Sequence, residues 1–306
     1  MSPVTSVQES VAMRLDDIDT SGVDVEDQRG SGGGGGFGFP MGGGGGGLPL
    51  GRGMGCGTII LLLIAVFVFK VDPTGMMGGM QQSAPVQQQS EVTQGQGCDA
   101  NQASKFSCQV LASNNATWEA AFTDGGYKEP KIVFYSGGGQ SGCGAAQSAM
   151  GPFYCPADQG IYLDTSFYDE LSRKFGAAGD FAQAYVIAHE VGHHLQYLTG
   201  RANQVRQAQE RASKVQGNQL QVRMELQADC YAGVWAAKNN KRMEPGDVEE
   251  GLRAAHQIGD DVLMKQSQGV VVPEAFTHGS AEQRMAALKL GLSSGQEEAC
   301  ETFFQQ

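Results

Sequence analysis

The chain has 306 residues, of which 45 are glycine, and 17 of those glycines fall between Gly30 and Gly57. Thirty-three acidic residues against 21 basic ones give a net charge of −12. That balance excludes a strongly basic nucleic-acid binder, because tracking phosphates needs clustered Lys and Arg and no such run occurs.

Residues 1–29 carry seven Asp or Glu against Arg14 and Arg29, and with the glycine-rich stretch that follows they read as a disordered tail over 1–52. Thr58–Phe69 (TIILLLIAVFVF) is the one long apolar run. As a helix it rises about 18 Å, short of a bilayer core near 30 Å. Extension back to Gly53 through uncharged residues brings it to about 25 Å, and Lys70 can snorkel. Residues 53–71 are therefore expected to form a single transmembrane signal anchor. A cleaved signal peptide fits less well, since about 50 residues precede the run and no A-x-A site follows. Residues 72–97, rich in Pro, Gly, Gln and Ser, read as a spacer.

Residues 98–306 have the composition of one globular domain, large enough to enclose an apolar interior. Helical spacing is expected over Asn101–Ala121, a short strand over Lys131–Tyr135, and two strands around the Pro156-Ala157-Asp158 turn within Gly151–Leu163. From Thr165 onward the periodicity predicts helices at 165–174, 180–198, 202–216, 218–239, 246–265 and 281–292. The expected class is α+β, mostly helical with a small sheet. Six cysteines follow residue 97: Cys98, Cys108, Cys143, Cys155, Cys230 and Cys300. An even count without C-x-x-C suits disulfides in an oxidising compartment, with sequential pairing the expected arrangement. The cysteines thus place the domain outside the cytoplasm.

The segment FAQAYVIAHEVGHHLQYLTG contains His189-Glu190-Val191-Gly192-His193, an H-E-x-x-H. On a helix, positions i and i+4 share a face, so both imidazoles can reach one zinc ion. Glu190 stands about 100° round, within reach of a metal-bound water as general base. A metzincin would need Gly at Gln196 and His at Thr199, so that branch is rejected. The next helix carries Glu225 and Asp229 on one face in MELQADCYAGVWA. Glu225 can complete a His2Glu set of the gluzincin type, and Asp229 can accept the far N–H of His189. His278 sits in the loop before the last helix, behind a Ser280/Gln283 capping box. It is the candidate oxyanion donor, with local turn hydrogen bonds as the plain alternative. Arg284 is a weaker candidate for substrate or structural pairing, and Tyr197 and Tyr231 are reserve donors. His194 is read as a cleft-wall or surface residue, and His256 as structural.

With GPFYCPADQGIYLD, AHEVGHHLQ, ELQADCYAGVWA and THGSAEQR in place behind a Gly-rich tail and an apolar segment, the chain resembles the bacterial neutral zinc metallopeptidases of the YpfJ-like group. The resemblance implies a zincin-like domain anchored in the bacterial inner membrane and facing the periplasm. It implies one zinc ion on His189, His193 and Glu225, Glu190 as general base, and a peptide or protein substrate. Two rivals compete with it: a zinc-stabilised, non-catalytic membrane scaffold, and a zinc amidase acting on cell-wall material.

Overall fold

The computed structural model describes residues 13–29, 96–123, 125–173, 176–177 and 179–305. Its sheet is organised by β2 (Lys131–Tyr135), which is buried on both faces. Ile132 and Phe134 join the core shared with the helices, while Val133 and Tyr135 pack with Ala146, Cys155 and Tyr162. Two buried faces explain why Ile132–Tyr135 is a continuous apolar run. Strand β6 (Gly160–Asp164) pairs with β2 in parallel, Ile161 opposite Ile132. Strand β5 (Phe153–Cys155) pairs antiparallel with β6 and forms one edge of the sheet. Strands β3 (Gly138–Ser141) and β4 (Gly144–Gln147) form a separate hairpin between β2 and β5.

The opposite edge overturns the tail expected over residues 1–52, at least for 13–29. Val25–Asp27 form strand β1, parallel to β2. Met13, Leu15, Val23 and Val25 are buried in the main core, and each such side chain contributes about 1.5–3 kcal/mol. Three of the acidic groups that suggested disorder are paired instead. Glu26 meets Lys131 at 2.8 Å, Asp27 meets Arg29 at 2.6 Å, and Asp17 is bound by Arg242. The anchor expected over 53–71 and nearly all of the spacer lie outside the described residues. Among those described, no helix is long and apolar enough to cross a membrane.

The helices are α1 (Gln102–Ala121), α2 (Ser166–Arg173), α3 (Asp180–Leu198), α4 (Arg201–Gln209), α5 (Lys214–Lys238), α6 (Asp247–Gln257), α7 (Asp260–Gln268) and α8 (Ala281–Ser294). Helix α5 runs through Gly217, the residue between the expected helices 202–216 and 218–239, because a Ser213/Gln216 capping box starts it earlier. The helix expected over 246–265 is two helices. The chain bends at Gly259, where a Cβ would lie 2.4 Å from the backbone nitrogen of Ala281. Helices α3 and α5 cross at Gly192, where a Cβ would come within 2.8 Å of Ala228 Cα. That contact sets the spacing between the H-E-x-x-H and the acidic pair. The cysteines pair as Cys98–Cys108, Cys143–Cys155 and Cys230–Cys300. The last bond ties α5 to the closing 3-10 segment Glu297–Phe304.

Asp247 lies close to Asp180 and Glu250 at the start of α6. Burial raises its pKa from 3.8 to about 6; the hydrogen bond from the Glu244 N–H opposes this, and the charges of Asp180, Glu244 and Glu249 add smaller upward pushes. A raised carboxyl pKa makes folding cost more as pH rises from about 4 through about 6. Asp247→Asn keeps an acceptor for the Glu244 N–H, so it should melt higher than the parent at pH 7. The difference should vanish near pH 4 in a thermal-denaturation series, and equal melting temperatures at pH 7 would refute this account.

Candidate metal centre and active site

Helix α3 is buried along most of its length, and its apolar residues Val186, Ile187, Val191 and Leu195 anchor it in the core. This fixes His189, Glu190 and His193 on the remaining faces. His189 Nε2 lies 3.2 Å and His193 Nε2 3.6 Å from the same oxygen of Glu225, Oε2. The two imidazole rings are 4.7 Å apart and nearly perpendicular. Donor atoms of these three residues all fall within 4.8 Å of one another. The structure therefore brings together the three residues expected to bind the metal.

The far side of each ring is already committed. His189 Nδ1 is 2.8 Å from Asp229 Oδ1. Asp229 is fully buried and receives the Tyr185 hydroxyl at 2.6 Å and two Arg284 N–H groups at 2.8 and 2.9 Å. His193 Nδ1 is 2.9 Å from Gln196 Oε1. The Gln196 amide donates to the Met224 carbonyl at 2.7 Å and to Gln227 Oε1 at 3.1 Å. Gln227 in turn reaches Glu301 at 3.0 Å. With each Nδ1–H directed at an oxygen, both Nε2 atoms keep their lone pairs for a cation. On the other side Gln221 donates to Glu225 Oε1 at 2.9 Å. Two neutral imidazoles and one carboxylate are the donor set of a catalytic zinc site, so these residues fit that metal.

The charges follow from this packing. Burial pushes the Glu225 carboxyl up, but His193 and then His278 outweigh it and hold it well below the usual range. Burial disfavours a charged His189, yet Asp229 and Glu225 more than offset this and keep its pKa above the ordinary histidine value. Burial likewise pushes Asp229 up, and Arg284 and His189 bring it down to about 2. Glu190 is the exception among the carboxylates. Burial raises it, the imidazoles of His189 and His193 pull against that, and the net is above the usual value. The backbone N–H of Tyr154 adds a smaller pull in the same direction as the imidazoles, which brings the carboxylate near the edge strand β5.

His278 is placed by Asp260, a residue the sequence reading did not single out. One oxygen of Asp260 takes the N–H groups of Thr277, His278 and Gly279 at 2.6, 2.6 and 3.0 Å. The other lies 3.3 Å from His278 Nδ1. Burial lowers the pKa of His278, but Glu225 and Asp260 raise it by more, which places the ring within the field of the Glu225 carboxylate. His194 is not a surface or cleft-wall residue. It is fully buried, 2.9 Å from the Tyr154 hydroxyl and 2.5 Å from the Lys128 carbonyl, and burial lowers its pKa. Its neutral ring joins β5 and the loop before β2 to α3. Tyr231 is turned to Glu301 at 3.2 Å, so it is no reserve oxyanion donor. Arg284 is 3 % exposed and spent on Asp229, which makes it a structural partner. His256 is exposed on α6. Gln196, Tyr185 and Asp260 were missed because glutamine, tyrosine and aspartate carry no metal-site spacing of their own. Only the fold brings them to the histidines.

The family model described as "Putative neutral zinc metallopeptidase" matches residues 13–303. It therefore includes strand β1 as well as the helical domain. The chain is 51% identical over 239 residues to the uncharacterized protein YpfJ of Escherichia coli K12, covering 77% of this chain and 82% of that protein. It is 41% identical over 223 residues to the uncharacterized protein Rv2575 of Mycobacterium tuberculosis, covering 68% and 73% respectively. No solved structure matches. On a family match that spans nearly the whole chain, this protein belongs to the neutral zinc metallopeptidase family.

Proposed function

We propose that this chain is an extracytoplasmic, zincin-like peptidase of the gluzincin type. His189, His193 and Glu225 hold one zinc ion, and Glu190 is the general base. The observation that carries the reading is the convergence of both Nε2 atoms on Glu225 Oε2, with Glu190 buried alongside between the metal residues and the edge strand. A zinc ion in such a site acidifies a bound water to near neutrality and acts as a Lewis acid toward a carbonyl. Glu190 takes the proton of the attacking water and returns it to the departing amine. Its raised pKa suits a group that must both accept and give up a proton near pH 7. Asp260 holds His278 in position to donate to the oxyanion that develops on the scissile carbonyl. Strand β5 offers its outer edge to an extended peptide by backbone pairing. The three disulfides support an oxidising compartment.

Metal analysis and an unbiased peptide-library assay on a chain that keeps residues 13–29 test this reading. The parent should carry one zinc per chain, cleave peptides, and lose cleavage on chelation. Glu225→Ala should lose most of its zinc. Unchanged zinc content in that variant would remove Glu225 from the ligand set, and a zinc-loaded parent that cleaves no peptide would overturn the peptidase reading.

A further inference from the structure

Residues 13–29 bear on where the domain stands relative to a membrane. Val25, Glu26 and Asp27 lie opposite Ile132, Val133 and Phe134 in a parallel ladder. The ladder is extended by the Ile132 N–H to Asp24 O bond at 2.9 Å and the Gln28 N–H to Phe134 O bond at 2.7 Å. Met13, Leu15, Val23 and Val25 are each 3 % exposed or less. The last described residue of this segment is locked in place as well. The Arg29 guanidinium stacks over the Phe134 ring at 4.7 Å and donates to the Ser104 hydroxyl at 2.6 Å and the Gly97 carbonyl at 3.1 Å. Gly97 lies directly on β1, since a Cβ there would come within 2.5 Å of Val25 Cγ1. Arg29 and Gly97 thus meet at one corner of the fold.

A polypeptide that crosses a bilayer once has its two flanks on opposite sides, separated by an apolar slab about 30 Å thick. Strands β1 and β2 are hydrogen-bonded neighbours with shared core side chains, so no such slab lies between them. We propose that Met13–Arg29 and the catalytic domain occupy the same side of any membrane this protein meets, and that the chain is not a single-pass protein hung from residues 53–71. Two crossings would also return the chain to its starting side. They would need two apolar stretches of about 20 residues each, and residues 30–95 contain only the run Thr58–Phe69. The inference does not depend on the metal or on the reaction.

The test uses the full chain in bacterial cells with Cys56→Ser as background, leaving no cysteine outside the three disulfides. Asp16→Cys and Lys289→Cys introduce single thiols at exposed positions on the N-terminal segment and on α8. They are labelled with a membrane-impermeant maleimide before and after permeabilisation. Both sites should label in the same condition, both before it or both only after it. Labelling of one site before permeabilisation and of the other only after it would overturn the proposal. Val25→Cys supplies the second arm. In native membranes it should label at least about tenfold more slowly than Asp16→Cys and catch up after denaturation. Equal native rates would show β1 undocked and would overturn the proposal too.

Discussion

Glu190→Gln should retain zinc and melting temperature while peptide hydrolysis falls by at least about 100-fold, since proton transfer by a placed base contributes roughly 10²–10⁴-fold. The substitution keeps the size of the side chain and one of its oxygens. It leaves His189, His193 and Glu225 untouched and removes only the capacity to take a proton. The 7 % exposure of Glu190 makes replacement by free carboxylates in solution ineffective. The same variant separates the peptidase from a zinc-stabilised scaffold, in which a base has no role. Cleavage within a few-fold of the parent, with zinc fully bound, would rule out the mechanism proposed here.

Arg284→Met should destabilise the fold by about 3–5 kcal/mol, the usual consequence of removing one partner of a buried ion pair. Asp229 is fully buried and takes two hydrogen bonds from this guanidinium, at 2.8 and 2.9 Å. Without them its charge is left with Tyr185 and His189. Because Asp229 also orients His189, zinc affinity should drop by roughly 10–100-fold. Denaturant unfolding and metal titration measure the two effects separately. Asp229→Asn combined with Arg284→Met should be less damaging than the arginine change alone, because no uncompensated charge remains. A loss below about 1 kcal/mol for Arg284→Met would mean that Asp229 does not depend on this partner. The pH dependence has a definite sign. The carboxyl has a pKa of about 2 in the fold against 3.8 ordinarily. Its contribution is therefore complete above about pH 4 and is lost as pH falls toward 2.

The sequence by itself determined the parts whose geometry is local. His189 and His193 share a face because they are four residues apart on a helix, and the same spacing joins Glu225 to Asp229. KIVFY reads as a strand because four consecutive residues with β-forming side chains, Ile132 to Tyr135, fit one buried extended segment. Six cysteines in neighbouring pairs, two of them separated by only 10 and 12 residues, made sequential pairing the simplest arrangement. Tertiary structure decided everything that depends on partners far apart in the chain. Gln196 reaches His193 as a neighbour on α3, but it is useful only because Met224 and Gln227 of α5 hold its amide. Arg284 and Asp229 are 55 positions apart, and Asp260 meets His278 across a bend that opens at Gly259. The N-terminal segment is the clearest case. Its acidic composition suggested a solvated tail, whereas Lys131 and Arg242 pair with its charges from more than 100 residues away. Its four core side chains are too sparse to show a period, and they become a core face only once β2 is there to receive them. Helix spacing is written within a few residues, but the neutralisation of a charge and the covering of a strand edge are supplied by whatever the fold brings alongside.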